Sequence, residues 1–201
     1  MSRLVYSVLA SLDGYVADAD GGFAWAAPDP EVHAFVNDLE REVGTHLVGR
    51  RLYEVMSAWD TMPTDPPAPG DDGADGPVAG AMADYASIWQ ASDKVVYSAT
   101  LPSVDAPRTR LERRFDPDEV RRLVHGASRD VSVGGPTLAA HALRAGLVQE
   151  VRLLLSPVVV GGGTAALPAG QRLSLALLEA RRFAAGAVFL RYRVTADGPD
   201  A

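Results

Sequence analysis

Two glycines separate an apolar segment from a helix-like one in the stretch DVSVGGPTLAAHAL, residues 130–143. Gly134 and Gly135 permit a tight turn, and another molecule can approach their peptide N–H groups because no Cβ stands in the way. The first amides of the helix that follows lack an internal partner and carry the positive end of its dipole. Such a corner is suited to an anion, most often a phosphate. An ordinary tight turn explains the pattern equally well.

A second corner of this kind carries positive charge. Gly49 ends a short apolar segment, and Arg50 and Arg51 follow directly, at the start of a predicted helix. Two cations there oppose the helix dipole, and a phosphate that they could bind through bidentate hydrogen bonds is one reason for them. A solvated first turn is the alternative. Ser98 and Thr100, predicted to lie on one side of a third strand, offer hydroxyl donors or simply form a polar strand end.

Predicted strands and helices alternate along the chain. Hydrophobic periodicity and turn residues predict strands at 3–11, 45–49 and 93–100, and two more, 130–133 and 149–160, that run into the glycine corners 134–135 and 161–163. They predict helices at 29–43, 50–59, 82–92, 116–127 and from 136. The segment 173–195 predicts two long strands joined around Ala185 and Gly186. This order predicts an α/β fold with a mostly parallel sheet and a C-terminal antiparallel hairpin. Ligands of such sheets bind beyond the carboxyl ends of the strands, where the corners would gather.

One segment departs from this alternation. Residues 61–80 are dominated by Pro, Gly and Asp, with almost nothing to bury. We predict a mobile loop within one domain, because strand and helix patterns resume directly after it. Whether this loop is a lid or a tolerated insertion stays open. The expected domain covers residues 1–196, and 197–201 form a tail.

Composition excludes several classes of function. The net charge of −7 argues against a general nucleic-acid binder. The absence of cysteine excludes disulfides, thiolate metal sites and cysteine nucleophiles, and the four histidines show no metal-ligand spacing, so we expect no metal. The N-terminus does not fit a signal peptide, and no stretch approaches a membrane span, so we expect a soluble cytoplasmic protein without membrane contact.

Five motifs in order carry a resemblance to a known family. They are SLDGYVA, GRRLYEVM, KVVYSATL, VGGPTLAAHAL and SPVVVGGG, within a span from Arg3 to about Tyr192. The chain resembles the dihydrofolate-reductase-like superfamily, and most of all the branch of the C-terminal reductase domain of riboflavin biosynthesis, as a stand-alone bacterial-type member. The resemblance implies a three-layer fold with NADPH across the carboxyl edge of the sheet. It also implies a homodimer, for which the apolar C-terminal strands, with Leu175, Leu177 and Leu178, offer an edge unless they belong to the core.

The resemblance assigns cofactor contacts residue by residue. Gly49, Arg50 and Arg51 would open the helix that meets the cofactor phosphates, and Ser98, Ala99 and Thr100 would border the adenosine ribose and its 2′-phosphate. The pyrophosphate would be held by Gly134, Gly135, Pro136, Thr137 and Leu138. Residues 161–163 would form a turn close to the nicotinamide.

Hydride transfer to a C=N or C=O group also needs a proton source. Asp13 is one candidate, although an Asp-Gly turn explains it as well. Asp29 and Glu31 are further candidates, although acids are favoured in any first helical turn. Folate reductases place one acid on this helix. Alignment from Gly49 puts His33 nearer that place, whereas alignment from the loop tryptophan favours Asp29, so dihydrofolate itself is in doubt as the substrate.

The substrate pocket is expected to include Phe23, Trp25 and Tyr53, each of which could equally be a packing residue. The zinc deaminase signature of the bifunctional riboflavin enzyme is absent. We therefore expect an NADPH-dependent reductase of a pterin-like, pyrimidine-like or carbonyl substrate, resembling dihydrofolate reductase or 5-amino-6-(5-phosphoribosylamino)uracil reductase. The alternatives are a non-catalytic nucleotide-binding protein of the same fold and a flavin reductase with an antiparallel split barrel.

Overall fold

The computed structural model of the chain describes residues 2–65 and 76–195. Its strands are β1 (Leu4–Ser11), β2 (Tyr15–Ala17), β3 (Val43–Gly49), β4 (Asp93–Tyr97), β5 (Thr109–Glu112), β6 (Asp130–Gly134), β7 (Glu150–Ser156), β8 (Thr164–Ala165), β9 (Ser174–Arg182) and β10 (Val188–Thr195). Its α-helices are α1 (Pro30–Glu40), α2 (Arg50–Met56), α3 (Gly76–Ala91), α4 (Pro117–Gly126) and α5 (Pro136–Arg144). Two short 3-10 helices span Ala24–Ala26 and Ser57–Asp60.

The main sheet has eight strands in the order β5-β4-β3-β6-β1-β7-β10-β9. Every pair from β5 to β7 is parallel, and the pairs β7–β10 and β10–β9 are antiparallel. The small strands β2 and β8 form a separate antiparallel pair. The predicted α/β fold with a C-terminal hairpin is therefore confirmed. A mostly parallel sheet also rules out the antiparallel split barrel of the flavin-reductase alternative.

Helices cover both faces of the sheet, so the fold has three layers. Neighbouring residues of a strand point to opposite faces. In β3, Leu47 belongs to the core under α4 and α5, whereas Val48 belongs to the core under α2 and α3. In β7, Leu154 packs under α1. The register across β1 and β6 places Leu154 on the same face as Val48, so α1, α2 and α3 share that face.

An ion cluster fastens the amino ends of the central strands. Glu150 of β7 is only 2% exposed. Its carboxylate accepts hydrogen bonds from Arg3 at 2.6 Å and from Arg152 at 2.7 Å. Arg3, just before β1, also bonds to both carboxylate oxygens of Asp130, the first residue of β6. Three neighbouring strands are thus joined by side chains at the edge opposite the candidate site.

Several predicted boundaries differ from the structure. The first helix ends at Glu40 and not near Val43, which begins β3. The third predicted strand ends at Tyr97. The strand predicted to run into the glycine corner at 161–163 already ends at Ser156, because Pro157 cannot continue the ladder. Residues 76–80 were predicted as loop and form the first turns of α3. Residues 66–75 of that loop, and the predicted tail, lie outside the described residues.

The edge strand β9 exposes three leucines. Leu175, Leu177 and Leu178 are 37%, 56% and 46% exposed. The alternative that they belong to the core is therefore wrong for the single chain. Within the described residues, no helix is long and apolar enough to cross a membrane.

Candidate functional site

The carboxyl ends of five parallel strands lie along one edge of the sheet. In sheet order, these strands are β4, β3, β6, β1 and β7. They end at Tyr97, Gly49, Gly134, Ser11 and Ser156, respectively. The corners that the sequence analysis singled out therefore do gather at one edge, as expected for a parallel sheet.

The two glycines of the β6–α5 corner have different structural roles. A Cβ added to Gly134 would lie 2.4 Å from Cδ2 of Leu52, so the missing side chain makes room for α2. Gly135 has φ of +85°, a conformation that glycine adopts without strain. Among the other residues predicted to hold the pyrophosphate, Pro136 begins α5, Thr137 is exposed, and Leu138 is buried in the core. Leu138 can therefore offer a ligand only its backbone.

Arg50 and Thr100 meet at the next corner. The Arg50 guanidinium donates to Thr100 Oγ1 at 3.0 Å and to Glu54 Oε1 at 2.7 Å. Arg50 is half exposed, and Arg51 beside it is exposed. The structure thus brings together two predicted phosphate contacts from different elements. It also adds Glu54, a carboxylate that an incoming phosphate must replace or share.

Ser98 and Thr100 do not share a strand face, because β4 ends before them. The buried Ser98 hydroxyl accepts hydrogen bonds from the backbone N–H groups of Thr100 and Leu101, at 3.3 and 3.0 Å. Ser98 thereby shapes the turn that presents Ala99 and Thr100, both of which are exposed. The prediction that Ser98 and Thr100 lie on one side of a strand is wrong, although Ser98, Ala99 and Thr100 all lie at the carboxyl edge of the sheet, as expected.

Asp13 fastens the loop after β7. Its carboxylate accepts hydrogen bonds from the N–H groups of Val160 at 3.2 Å and Gly161 at 2.8 Å. Hydrogen bonds hold the pKa of Asp13 below its ordinary value, and the largest effect comes from the Ser11 hydroxyl, followed by these two N–H groups. Asp13 is therefore ionised near neutral pH, which is the wrong form for donating a proton.

Asp29 and Glu31 also make structural contacts. Asp29 caps α1 by accepting from the backbone N–H of Val32 at 3.0 Å. Glu31 accepts from the N–H of Ala184 at 3.1 Å and lies 3.5 Å from Arg181, which ties α1 to the β9–β10 turn. Both carboxylates thus hold the helix in place at the site.

His33 has an ordered set of partners that the sequence analysis did not identify. Its Nδ1 lies 3.1 Å from Oδ1 of Asn37, whose Nδ2 donates to Asp84 of α3 at 2.7 Å. Asn37 shares a helix face with His33 at the i+4 position, a spacing that the sequence does show. The link to Asp84 depends on how α1 packs against α3, which the sequence does not show.

The three expected pocket residues have different environments. Phe23 is 49% exposed. Trp25 has its indole Nε1 buried, with no hydrogen-bond partner among the described residues. Tyr53 packs in the cluster under α2 and α3, and burial, with Asp60 and Asp105, raises the pKa of its phenol. Tyr53 thus belongs at least in part to the core, whereas Phe23 precedes and Trp25 lies in the short 3-10 helix Ala24–Ala26, between β2 and α1.

The triple glycine after β7 crosses very close to another backbone. A Cβ added to Gly163, which has φ of +129°, would lie 2.1 Å from the carbonyl oxygen of Ala17. This crossing brings β8 beside β2, with Tyr15 opposite Ala165. The glycines therefore shape the wall of the site near the end of β1.

No metal site accompanies these groups. The structure of residues 2–65 and 76–195 holds no cluster of three or more His, Asp or Glu side chains arranged to bind a metal. A concavity of about 310 Å³, which includes Arg121, His125 and Gln149 in its lining, lies at the amino edge of the sheet. It is on the opposite side from the glycine corners and is not part of this site.

Known proteins with similar sequences point to one family. The family model described as RibD C-terminal domain matches residues 3–189. The chain is 24% identical over 195 residues to the uncharacterized protein YyaP of Bacillus subtilis (strain 168), with 94% of each chain covered. It is 27% identical over 173 residues to the riboflavin biosynthesis protein RibD of Mycobacterium tuberculosis (strain ATCC 25618 / H37Rv), covering 83% of this chain and 45% of that protein.

Solved structures show the same fold. A putative riboflavin biosynthesis protein from Shewanella sp. PV-4 superposes with a TM-score of 0.70 at 19% identity, covering 98% of this chain and all (100%) of that one. A diaminohydroxyphosphoribosylaminopyrimidine deaminase/5-amino-6-(5-phosphoribosylamino)uracil reductase from Thermotoga maritima gives 0.62 at 12% identity, covering 96% of this chain and 57% of that one. The family model matches nearly the whole chain, and the fold agrees with that match. The chain therefore belongs to the RibD C-terminal domain family.

Proposed function

We propose that the chain is an NADPH-dependent reductase that transfers a hydride to a small heterocyclic or carbonyl substrate. Membership of a family of reductase domains supports an oxidoreductase activity. The observation that carries the cofactor assignment is the contact between Arg50 and Thr100 at 3.0 Å, one corner away from the turn at Gly135. It joins a cation and a hydroxyl at the place where a 2′-phosphate would lie.

The residues present fit this cofactor. The turn at Gly135 has open space where a Cβ would project, with only Leu52 in contact at 3.8 Å. A pyrophosphate could therefore approach the first amides of α5. Arg50 can donate two parallel hydrogen bonds to a phosphate once it releases Glu54. When bound, NADPH would supply the hydride, and the chain would supply orientation and charge.

For the substrate, we favour a pyrimidine-like ring. The relative from Thermotoga maritima is named as a reductase of 5-amino-6-(5-phosphoribosylamino)uracil. A pterin is the weaker candidate, because the acids that could pair with its ring, Asp29 and Glu31, already hold backbone N–H groups.

The first test is titration of the purified chain with NADPH and NADH, followed by ligand fluorescence and thermal stability. We expect NADPH to bind more tightly than NADH, and the Arg50→Ala, Arg51→Ala double variant to lose about 10-fold or more in NADPH affinity, because a charge-assisted pair contributes about 1.5–3 kcal/mol. Arg114→Ala removes an arginine whose side chain is 82% exposed and serves as the control. Equal binding of both dinucleotides by all variants contradicts the assignment of Arg50.

A non-catalytic nucleotide-binding protein of the same fold is the second candidate. The observation in its favour is that Asp13, Asp29 and Glu31 all serve structural contacts. Loss of NADPH absorbance in the presence of pyrimidines, pterins or quinones distinguishes the two. Binding without any turnover favours the non-catalytic protein.

We also propose a homodimer, in keeping with the exposed leucines of the edge strand β9. Sedimentation of the wild type and of Leu177→Lys tests it. A wild type that sediments as a monomer at all concentrations contradicts it. The cytoplasmic location expected from the sequence also stays a proposal, which imaging of the tagged chain tests.

A further inference from the structure

His33 lies one turn into α1, where α1, α3 and the short helix Ser57–Asp60 meet. Its ring centroid is 6.3 Å from Trp59 and 6.1 Å from Tyr85, both in edge-to-face arrangements. Helix α1 leads to the amino end of β3, so it begins at the carboxyl edge of the sheet, and it packs against α3. The half-buried imidazole, in the first turns of α1, therefore lies toward the carboxyl edge of the sheet, where the candidate site is.

The partners of Asn37 determine which ring nitrogen of His33 carries a proton. Asn37 is fully buried (0% exposed). Its amide has two acceptors on one side, the carbonyl of Ala81 at 2.8 Å and Oδ2 of Asp84 at 2.7 Å. Both require N–H donors, so Nδ2 must face them and Oδ1 must face His33. An oxygen 3.1 Å from Nδ1 requires a proton on Nδ1, which leaves Nε2 as the nitrogen that gains and loses a proton.

Charged groups behind Asn37 keep this arrangement in place. Burial favours the neutral form of Asp84, but hydrogen bonds from Arg41 and Asn37 outweigh it and lower the pKa of Asp84. Arg41 of α1 donates to Asp84 at 2.6 Å. Around the ring lie the Asn37 amide with Asp84 behind it, the Tyr85 phenol from α3 and the Trp59 indole from the short helix, whose Asp60 accepts a hydrogen bond from Trp89. An ionised Asp84 can only accept hydrogen bonds, so it fixes the orientation of the Asn37 amide.

We propose that His33, through Nε2–H, donates the proton in the reduction, with Asn37 and Asp84 as positioning residues. This inference rests on the proposed function. Nε2 accepts no hydrogen bond from any described residue, whereas the carboxylates of Asp29 and Glu31 hold backbone groups. The substrate carbon accepts the hydride that reduced nicotinamide supplies, and the electron pair of its C=N or C=O bond moves to nitrogen or oxygen. That atom takes the proton from Nε2, and the neutral imidazole recovers a proton from water.

The first experiment needs no substrate. Long-range proton–nitrogen NMR correlation on the ligand-free chain reports which nitrogen of each neutral histidine is protonated, and His33→Gln assigns the His33 signals. We expect a neutral His33 protonated at Nδ1. A His33 protonated at Nε2 overturns its role and leaves the proposed function standing, because NADPH binding and turnover are separate measurements.

The second experiment is kinetic, with NADPH and the pyrimidine and carbonyl panel. We expect His33→Gln to lower kcat/KM by about 100-fold or more with unchanged NADPH affinity, since a positioned proton donor contributes roughly 10²–10⁴-fold. The control His125→Gln changes an exposed histidine at the end of α4 and should keep the wild-type rate. A His33→Gln variant with the wild-type rate and pH profile overturns the proposal.

An exchange of charges separates proton donation from a merely structural role. Asn37→Asp combined with Asp84→Asn keeps the net charge and puts the carboxylate directly beside the ring. The wild-type rate should fall as rising pH removes the proton from His33, and the exchange should move that fall to higher pH, because the adjacent carboxylate stabilises the imidazolium. An unmoved pH profile overturns the proposal. A wild type that binds NADPH but reduces nothing in the panel overturns both this role and the proposed function.

Discussion

The contact between Gly134 and Leu52 can be tested by adding one methyl group. An ideal Cβ on residue 134 lies 2.4 Å from Leu52 Cδ2, whereas carbon atoms normally approach to about 3.5–4.0 Å. Roughly 1 Å of movement is therefore needed, and overpacking of this kind costs about 1–3 kcal/mol. The movable atom ends a flexible side chain, and alanine in a strand recovers about 0.5–1 kcal/mol relative to glycine. We expect Gly134→Ala to reduce the free energy of unfolding by about 1 kcal/mol.

A double-mutant cycle shows whether Leu52 causes this loss. Leu52→Ala removes Cδ2, so the added methyl group should cost nothing in the double variant, which gives a coupling of about 1 kcal/mol or more. Equilibrium unfolding in urea measures all four proteins, with the m-value checking that the unfolded states are comparable. Gly126→Ala is the control, because a Cβ there meets nothing within 4 Å at the end of α4, and it should be neutral or stabilising.

Additive effects within about 0.5 kcal/mol would refute the contact as the reason for the glycine. Close approach of a ligand to the backbone would then be the remaining explanation for glycine at position 134. In that case Gly134→Ala should weaken NADPH binding with little effect on unfolding. The contact with Leu52 therefore predicts a loss of stability that disappears in Leu52→Ala, whereas ligand approach predicts weaker NADPH binding with little loss of stability.

Three further predictions test the fold. Asp116→Ala should lower the free energy of unfolding in urea by about 1 kcal/mol, because Asp116 caps α4 by accepting from two backbone N–H groups, at 2.9 and 3.2 Å. A variant as stable as the wild type would contradict the cap. Gly163→Ala should lower the free energy of unfolding by about 3 kcal/mol, because its Cβ would overlap the Ala17 carbonyl. Gly162→Ala has open space around its Cβ and should lower it by about 1–2 kcal/mol, from backbone strain alone. Equal losses in the two variants would contradict the overlap. Burial raises the pKa of Glu40 from 4.5 to about 7, against the opposing effect of Arg152. Between these two pH values the folded chain holds a proton that the unfolded chain releases. The free energy of unfolding should therefore fall as the pH rises from about 4.5 to about 7. Glu40→Gln should abolish that fall and stabilise the chain at about pH 8 by roughly 1–3 kcal/mol, measured by thermal unfolding as a function of pH.

The order of elements could be predicted because most of them bury apolar faces. β1, β3 and β6 are short apolar runs that end at turn residues, and α4 begins at the Asp116 cap. β5, Thr109–Glu112, was not predicted, because this edge strand buries little and its TRLE sequence lacks an apolar pattern. A strand of that kind is defined by its pairing with β4, which local sequence does not encode.

The site was predictable only where chemistry follows from neighbours in sequence. Glycine corners and the arginines after Gly49 are local features, and the edge at which they gather follows from parallel strands. The close approach of Leu52 to Gly134 and the orientation of Asn37 beside His33 by Asp84 are of a different kind. Both pairs are distant in sequence and meet only through helix packing, so no local pattern reveals them.

The ion cluster around Glu150 has a consequence for how this fold can change. Arg3, Asp130, Glu150 and Arg152 hold β1, β6 and β7 together at one edge, while the opposite edge consists of the turns where we propose that the cofactor binds. Substitutions in the turns at the carboxyl edge leave that fastening intact. Selection, or a protein engineer, can therefore alter substrate preference at one end of the strands while the other end preserves their register.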